Sequence, residues 1–188
     1  VIFQSNLILD NLYRVQDLPK DRENFYKGHC YFAKGLMYYE IARRWGNAPI
    51  TRDAKSIDPL GRSDAKVVLD TALSNALRAF DLLKNYDEAV DYNGQKLKKY
   101  YAHKGAAAAL LANIYAWKGG LFNDSDAYEE AEKYCTLIIE NKVRIYKMVD
   151  TPEEVCSVVM DRMSSESVFE LLNSSIDFGF TTGRFSPG

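Results

Sequence analysis

The chain has 188 residues, of which 47% are hydrophobic and 13% aromatic, and its formal net charge at pH 7 is -2. A chain of this length can bury a sizeable hydrophobic core, so we expect one domain over residues 1–188. The 24 basic and 26 acidic residues are balanced, without the basic excess that is typical of nucleic-acid binding. We therefore expect no nucleic-acid partner.

Cysteines and histidines are too few and too scattered to predict a metal site. Cys30, Cys135 and Cys156 form no Cys-X-X-Cys pair, and the two histidines are His29 and His103. We interpret the cysteines as small buried side chains and expect neither a metal nor a cofactor. No Ser-His-Asp or Cys-His order predicts a nucleophilic catalyst, so no catalytic residue is assigned. No run approaches 18 consecutive apolar residues, and no membrane span is predicted.

The first two predicted helices cover residues 1–13 and 21–45. The short one would turn five apolar residues toward the core: Ile2, Phe3, Leu7, Ile8 and Leu12. In the long one, residues spaced by 4, 3, 4 and 3 share one stripe of alternating aromatic and small side chains: Tyr31, Gly35, Tyr38, Ala42 and Trp45. The small residues would let another helix approach closely. Gly46 and Pro49 predict the end of the long helix.

Three further helices are predicted over residues 64–84, 97–118 and 126–141. The first is capped by Ser63 and has a stripe with the same spacing: Leu69, Leu73, Ala76, Phe80 and Leu83. The second is expected to end at Gly119-Gly120. The third begins at a capping box of Asp126 and Glu129, and its predicted buried face is Tyr128, Ala131, Cys135 and Ile138.

The last part of the chain carries one strong helix signal. Thr151-Pro152-Glu153-Glu154 predicts a short helix to about residue 161. Residues 167–172 are predicted as a strand or a helical turn, and the glycine-rich tail 177–188 as a loop. The chain is therefore predicted to be all-α, with antiparallel helix pairs and little or no sheet.

A tetratricopeptide-like repeat is one interpretation of these helix pairs. Leu111, Ala112 and Tyr115 match positions of the first helix of that repeat, and Ala131 and Ile138 suit its second helix. Other helical pairs bury alanine and aromatic residues in the same way, so the pattern alone leaves the repeat open.

The order of several motifs resembles the SusD/RagB family, the surface nutrient-binding lipoproteins of Bacteroidetes. Residues 28–39 and the stop Gly46-Asn47-Ala48-Pro49-Ile50 are similar to the family's G-E-A-R-F-L-R-A helix and its G-D-x-P stop. Three further segments resemble the family's first helix, its K-G-A-A helix and its E-x-I-F-E segment: 5–9, 104–115 and 166–170. The departures are His29 for glutamate, Lys34 for arginine and Asn47 for aspartate.

The resemblance implies a tetratricopeptide-like stack of helices with irregular loops, forming the N-terminal and central part of a longer chain. It also implies non-enzymatic capture of glycans, or sometimes peptides, for a SusC-like TonB-dependent transporter. The protein would be exposed on the outer membrane, held only by a lipid anchor outside this fragment.

Three aromatic residues are candidates for ligand binding. Trp45 lies at a predicted helix end, and Tyr86 and Tyr92 lie in a predicted loop, where exposed rings could stack on the apolar faces of sugars. Ordinary packing is the competing interpretation for each. Two other functions stay open from sequence: a tetratricopeptide-type scaffold that grips a peptide or partner helix, and a glycan-processing enzyme, which would need paired carboxylates.

Overall fold

The computed structural model describes residues 1–55, 59–159 and 164–171. The helices are α1 (Ile2–Asn11), α2 (Lys20–Trp45), α3 (Ala65–Leu82), α4 (Lys104–Phe122), α5 (Ser125–Ile139) and α6 (Pro152–Glu154), which continues as a π-helical turn, Val155–Val159. The described residues contain two isolated β-bridges and no strand, which confirms the all-α prediction.

The helices form a linear stack in chain order. α2 packs on α1 and α3, and α4 packs on α3 and α5, with only a small contact between α2 and α4. None of the described helices combines the length and the apolar character that a membrane crossing requires. The arrangement places consecutive helix pairs side by side, as in repeat proteins.

The contact between α2 and α3 is set by very small side chains. A Cβ atom on Gly35 of α2 would lie 3.1 Å from the backbone nitrogen of Ala76 and 3.2 Å from the carbonyl oxygen of Ala72. Both alanines are completely buried. The predicted stripe of α2 is confirmed over its centre, where three members are buried: Gly35, Tyr38 and Ala42.

The turn that ends α2 also begins α3. Gly46 has a φ of 67°, in the left-handed region that glycine adopts readily, and α2 ends there as predicted. Ala48 and Ser63 exchange two backbone hydrogen bonds, of 3.1 and 2.9 Å. This pairing brings Asn47 to the first turn of α3, where its Oδ1 accepts a hydrogen bond from the Ala65 nitrogen at 2.9 Å. Asn47, rather than the predicted Ser63, therefore supplies the cap.

Replacing Asn47 with alanine is expected to lower the free energy of unfolding by about 1 kcal/mol, because the Ala65 N–H would lose its acceptor. Asn47→Asp keeps an acceptor and adds a negative charge at the positive end of α3, so it should preserve or slightly raise stability. Urea unfolding followed by circular dichroism measures both. Equal losses in the two variants would contradict the capping role.

α1 turns a polar side toward the core, so the predicted apolar face is wrong for three of its five residues, while Ile2 packs against the core as predicted. Ser5 and Asn6 are buried, whereas Phe3, Leu7 and Ile8 are exposed. The physical reason is that Asn6 satisfies the loop after α2: its Nδ2 donates a hydrogen bond to the carbonyl oxygen of Asp53 at 3.2 Å.

α4 begins seven residues later than predicted. Residues 97–103 form a loop, and the helix starts at Lys104. The cap is His103, whose Nδ1 accepts a hydrogen bond from the Ala106 nitrogen at 3.3 Å. A buried imidazole therefore does what a serine or aspartate usually does at this position.

The far end of α4 and the start of α5 also differ from prediction. Gly119 and Gly120 stay helical, and α4 ends at Asn123, which has a φ of 53°. Gly119 is small for a packing reason, since a Cβ there would lie 3.0 Å from the ring of Tyr128. α5 is capped by Asp124, whose carboxylate accepts from the Ala127 nitrogen at 3.2 Å, and not by the predicted Asp126–Glu129 box.

The buried face of α5 also differs from the prediction. The buried residues are Ala127, Ala131 and Tyr134, while Tyr128 and Cys135 of the predicted face are exposed. Only Cys30 of the three cysteines is a buried side chain, and Cys156 is exposed as well. Burial raises the pKa of the Cys30 thiol to about 11, which keeps it protonated.

Residues 164–171 run against the base of α4. Of the segment 167–172, which was predicted as a strand or a helical turn, residues 167–171 form neither, and residue 172 lies outside the described residues. Lys99, which is completely buried, donates hydrogen bonds to the carbonyl oxygens of Ser164 and Ser167. Phe169 packs edge-on against Phe32 of α2, with ring centroids 5.0 Å apart. The segment therefore closes one side of the core.

The predicted start of the last helix is confirmed. Thr151 and Glu154 form both hydrogen bonds of a capping box, with Pro152 in the first turn. The predicted end of this helix near residue 161 and the tail 177–188 lie outside the described residues.

Candidate ligand-binding surface

Tyr92 lies at the tip of a turn that one carboxylate braces. Asp91 Oδ1 accepts hydrogen bonds from the backbone nitrogens of Asn93 at 2.8 Å and Gln95 at 2.9 Å. Arg22 at the start of α2 donates to the carbonyl oxygen of Asp91, which ties the turn to the helix. The Tyr92 side chain is 61% exposed. A well-braced backbone therefore presents an open aromatic face.

A cavity of about 310 Å³ lies beside this turn, between the start of α2 and the end of α3. Phe25, Leu83 and Val90 contribute apolar surface to its wall. Lys84 and Asp21, also in the lining, form an exposed ion pair of 2.7 Å. The rest of the lining adds polar side chains, among them Arg22, Asn24 and Glu88, to this apolar wall. A small cavity with both kinds of surface can hold part of a larger ligand, such as one terminal sugar.

More aromatic rings line this end of α2. The ring centroid of Tyr101 lies 6.4 Å from that of Phe25 and 4.9 Å from that of Tyr100, and Phe25 lies 5.5 Å from Tyr26. These four side chains are half-buried. We call the five rings the aromatic ledge: Phe25, Tyr26, Tyr92, Tyr100 and Tyr101.

The chemistry of the ledge is that of an amphipathic platform. Burial raises the pKa of Tyr101, and Tyr100, Tyr92 and Asp91 act on it in the same direction. The Tyr101 hydroxyl is therefore neutral at physiological pH and can donate as well as accept hydrogen bonds. Ring faces for apolar contact and hydroxyl groups for hydrogen bonds occur together here.

His29 lies directly beneath the ledge. Its ring centroid is 4.2 Å from that of Phe25, and its Nδ1 donates to the Phe25 carbonyl oxygen at 2.7 Å. Burial lowers the pKa of His29, so the ring is uncharged at neutral pH. It packs as an aromatic support. No group of three His, Cys, Asp or Glu side chains in the described ranges is placed to hold a metal ion.

The structure separates the three aromatic candidates from one another. Trp45 is 69% exposed, but it lies twenty residues beyond Phe25 on α2, roughly 30 Å away along the helix axis. Tyr86 is only 3% exposed, and its ring packs under the guanidinium of Arg144 at 3.9 Å. Tyr86 is thus a core residue of its loop, and Tyr92 is the candidate that belongs to the ledge.

Four rings of the ledge were not predicted as candidates. Phe25 and Tyr26 fall within the long helix, where aromatic residues are expected to pack. Tyr100 and Tyr101 fall in a segment predicted as helix that is in fact a loop. Two adjacent tyrosines close to Tyr92 in a polar stretch are the signal that could have revealed them.

A SusD-like family model, described as starch-binding and associating with the outer membrane, matches residues 1–116. A curated SusD-like protein of Formosa agariphila is 30% identical over 129 residues, which is 64% of this chain and 23% of that protein.

Solved structures of SusD-like proteins share the fold. NanU of Bacteroides fragilis has a TM-score of 0.75 at 21% identity, over 93% of this chain and 34% of that one. A laminarin binding SusD-like protein has a TM-score of 0.73 at 18% identity, over 89% of this chain and 34% of that one. The predicted tetratricopeptide-like stack is thereby confirmed. The matches span only 23% to 34% of the length of these relatives.

Proposed function

This chain belongs to the SusD-like family, and on that premise we propose that it is a non-enzymatic glycan-binding protein exposed on the outer membrane. It would capture oligosaccharides and hand them to a SusC-like TonB-dependent transporter, while held by a lipid anchor outside residues 1–188. The family's description as starch-binding and associating with the outer membrane supports both the ligand class and the location. The laminarin binding relative supports a glycan ligand.

The observation that carries the binding role is the aromatic ledge beside its cavity. Sugar rings have apolar faces that pack on aromatic rings and hydroxyl groups that hydrogen-bond at the edges. The cavity would receive one terminal sugar, and the ledge would support the sugars that follow. Because Asp91 holds the Tyr92 turn in place, little ordering of this loop is needed on binding, which favours affinity.

Replacing Tyr92 with alanine is expected to weaken glycan binding by about tenfold, because truncating an exposed aromatic anchor typically removes more than about 1 kcal/mol of binding energy. Isothermal titration of the full-length protein with laminarin and starch oligosaccharides measures the effect. Tyr13→Ala is the matched control, since Tyr13 is 82% exposed and lies on the turn after α1.

Trp45→Ala discriminates between the two ends of α2. If the ledge is the site, Trp45→Ala leaves the affinity unchanged. A loss in that variant alone would move the site to the other end of the helix. A full-length protein that binds peptides and no glycan on an array would overturn the glycan-binding function and favour the peptide-binding scaffold.

A further inference from the structure

Lys34 is a buried cation in the middle of α2. Its side chain is only 8% exposed, and within the part of the chain that the structure describes its ammonium group makes no hydrogen bond and no ion pair. Burial lowers the pKa of Lys34; Arg78 acts in the same direction and Asp10 against it. Asp10 is itself engaged, accepting a hydrogen bond from the Ala54 nitrogen at 2.9 Å. The ammonium nitrogen is nonetheless not one of the fully buried atoms without a partner, so the charge reaches solvent at the adjoining groove and is available to an anion there.

The side chain of Lys34 lines a groove of about 380 Å³ between α2, α3 and residues 50–52. Arg52 and Arg78 line the same groove, so three cations surround it. Asp70 is the one acid among the described lining residues, and Lys118 pairs with it at 2.9 Å. The groove therefore carries an excess of positive charge.

Neutral hydrogen-bond donors also line the groove. The amide of Asn75 has two N–H groups, and one of them donates to the Thr71 carbonyl oxygen at 2.7 Å. Ser74 presents an exposed hydroxyl in the same lining. Ammonium, guanidinium, amide and hydroxyl donors around one space are the chemistry that binds carboxylate or sulfate oxygens, through short charge-assisted hydrogen bonds.

We propose that this groove binds the oxyanion of an acidic sugar, either the carboxylate of a uronic acid or a sulfate ester. The inference rests on the proposed glycan-binding function and narrows it to acidic glycans. The groove is distinct from the aromatic ledge, because Lys34 lies nine residues beyond Phe25, roughly 14 Å further along α2.

Two matched pairs of probes test this with the full-length protein: trigalacturonate against its methyl ester, and a sulfated galactose trisaccharide against its desulfated form. At least one charged member is expected to bind about tenfold or more tightly than its neutral counterpart. Lys34→Met should abolish that preference by lowering the affinity for the charged member. Lys142→Met, at an exposed lysine after α5, should change neither.

The melting temperature gives an independent readout. Lys34→Met is expected to raise it in the absence of ligand, because the substitution removes a partly desolvated charge near Arg78 and keeps most of the volume. A lower melting temperature would show that the Lys34 ammonium gains more from acidic groups of the protein, Asp10 included, than it loses by desolvation, which would overturn the proposal. If that variant does not fold, Arg78→Met tests the same loss of charge preference from the exposed side of the groove.

The remaining outcomes separate this inference from the proposed function. Binding of inorganic sulfate without either acidic trisaccharide would overturn the assignment to sugars. Equal affinity for charged and neutral members, with Tyr92→Ala still weakening the binding of neutral glycans, would overturn the inference and leave the glycan-binding function intact. Failure to bind any glycan, charged or neutral, would overturn both.

Discussion

Gly35→Val is expected to lower the free energy of unfolding by about 3–5 kcal/mol, a large part of the stability of a typical domain. Even one added carbon at Gly35 would lie 3.1 Å from the Ala76 nitrogen and 3.2 Å from the Ala72 carbonyl oxygen. These are backbone atoms of α3, so a clash is relieved only by moving the whole helix. Valine adds two more methyl groups to the same gap.

Gly35→Ala separates this close approach from intrinsic helix propensity. In an exposed helix, glycine to alanine stabilises by about 1 kcal/mol. At Gly35 the clash should outweigh that gain and leave a net loss of about 1–2 kcal/mol. Gly120→Ala is the matched control, because a Cβ on this exposed glycine of α4 meets only the Tyr128 hydroxyl, at 3.3 Å on a movable side chain.

Guanidinium chloride unfolding of the three variants measures these differences. Gly120→Ala should be neutral or stabilising, whereas both Gly35 variants should lose stability, valine more than alanine. Equal stabilisation by Gly35→Ala and Gly120→Ala would contradict the close packing of α2 on α3.

Acidification is expected to remove a second large contribution to stability, through His103. Burial lowers the pKa of His103 to about 4 from an ordinary value of 6.5. Between pH 6.5 and pH 4 the unfolded chain binds a proton at His103 that the folded chain does not. The contribution of His103 to the free energy of unfolding is therefore complete above about pH 6.5 and falls as the pH drops toward 4. The difference corresponds to about 3 kcal/mol. The pKa of the buried His29 is also lowered, so it adds a loss in the same direction.

The geometry explains why the neutral form of His103 is required. Its Nε2 donates to the Val168 carbonyl oxygen at 2.9 Å, while its Nδ1 accepts from the Ala106 nitrogen at 3.3 Å. The neutral tautomer protonated on Nε2 satisfies both partners, whereas the imidazolium would point a second N–H at the Ala106 N–H. Protonation should therefore disrupt the cap on the first turn of α4, whereas the hydrogen bond from Nε2 to the Val168 carbonyl oxygen can persist in the imidazolium.

His103→Asn tests this assignment. Asparagine can still cap α4 but is too short to reach Val168, so stability at pH 7.5 should fall by about 2 kcal/mol. The loss between pH 6.5 and pH 4 should shrink, since position 103 no longer titrates. Urea unfolding at pH 7.5, 6.5, 5.5 and 4.5 measures both effects. An unchanged pH profile in the variant would assign the acid sensitivity to other groups, His29 first among them.

The helices and their order were predictable because helical periodicity is a local property of the sequence. The stripe through Gly35 and the Gly46 stop are examples, since both depend on neighbours within a few turns. Helix ends were predicted less well because remote residues decide them. Gly119 is a glycine because Tyr128 of the next helix occupies the space of a side chain there, and not because the helix ends. The cap of α3 is Asn47, from the preceding turn.

The residues of the candidate surface were likewise predictable where the local sequence decides and unpredictable where remote residues decide. Tyr92 could be selected from sequence because a polar loop with glycine predicts an exposed tip. Tyr86 occupies a similar stretch but is covered by Arg144, which follows 58 residues later in the chain and belongs to no local pattern. Lys34 could not be recognised from its position in the helix, because its isolation depends on what α1 and α3 bring to its side chain.

The loop between α3 and α4 has two parts, a base that contacts the core and an exposed tip. Its base carries Lys99 and His103, which fasten residues 164–171 to the core, while its tip carries Tyr92. A β-bridge between Val90 and Lys96 closes the neck between the two. Because Arg22 holds this turn through the backbone carbonyl of Asp91, a substitution of the exposed Tyr92 side chain leaves the tie to α2 in place. On the proposed function, we expect substitutions at the tip to change ligand preference while the base keeps the fold constant.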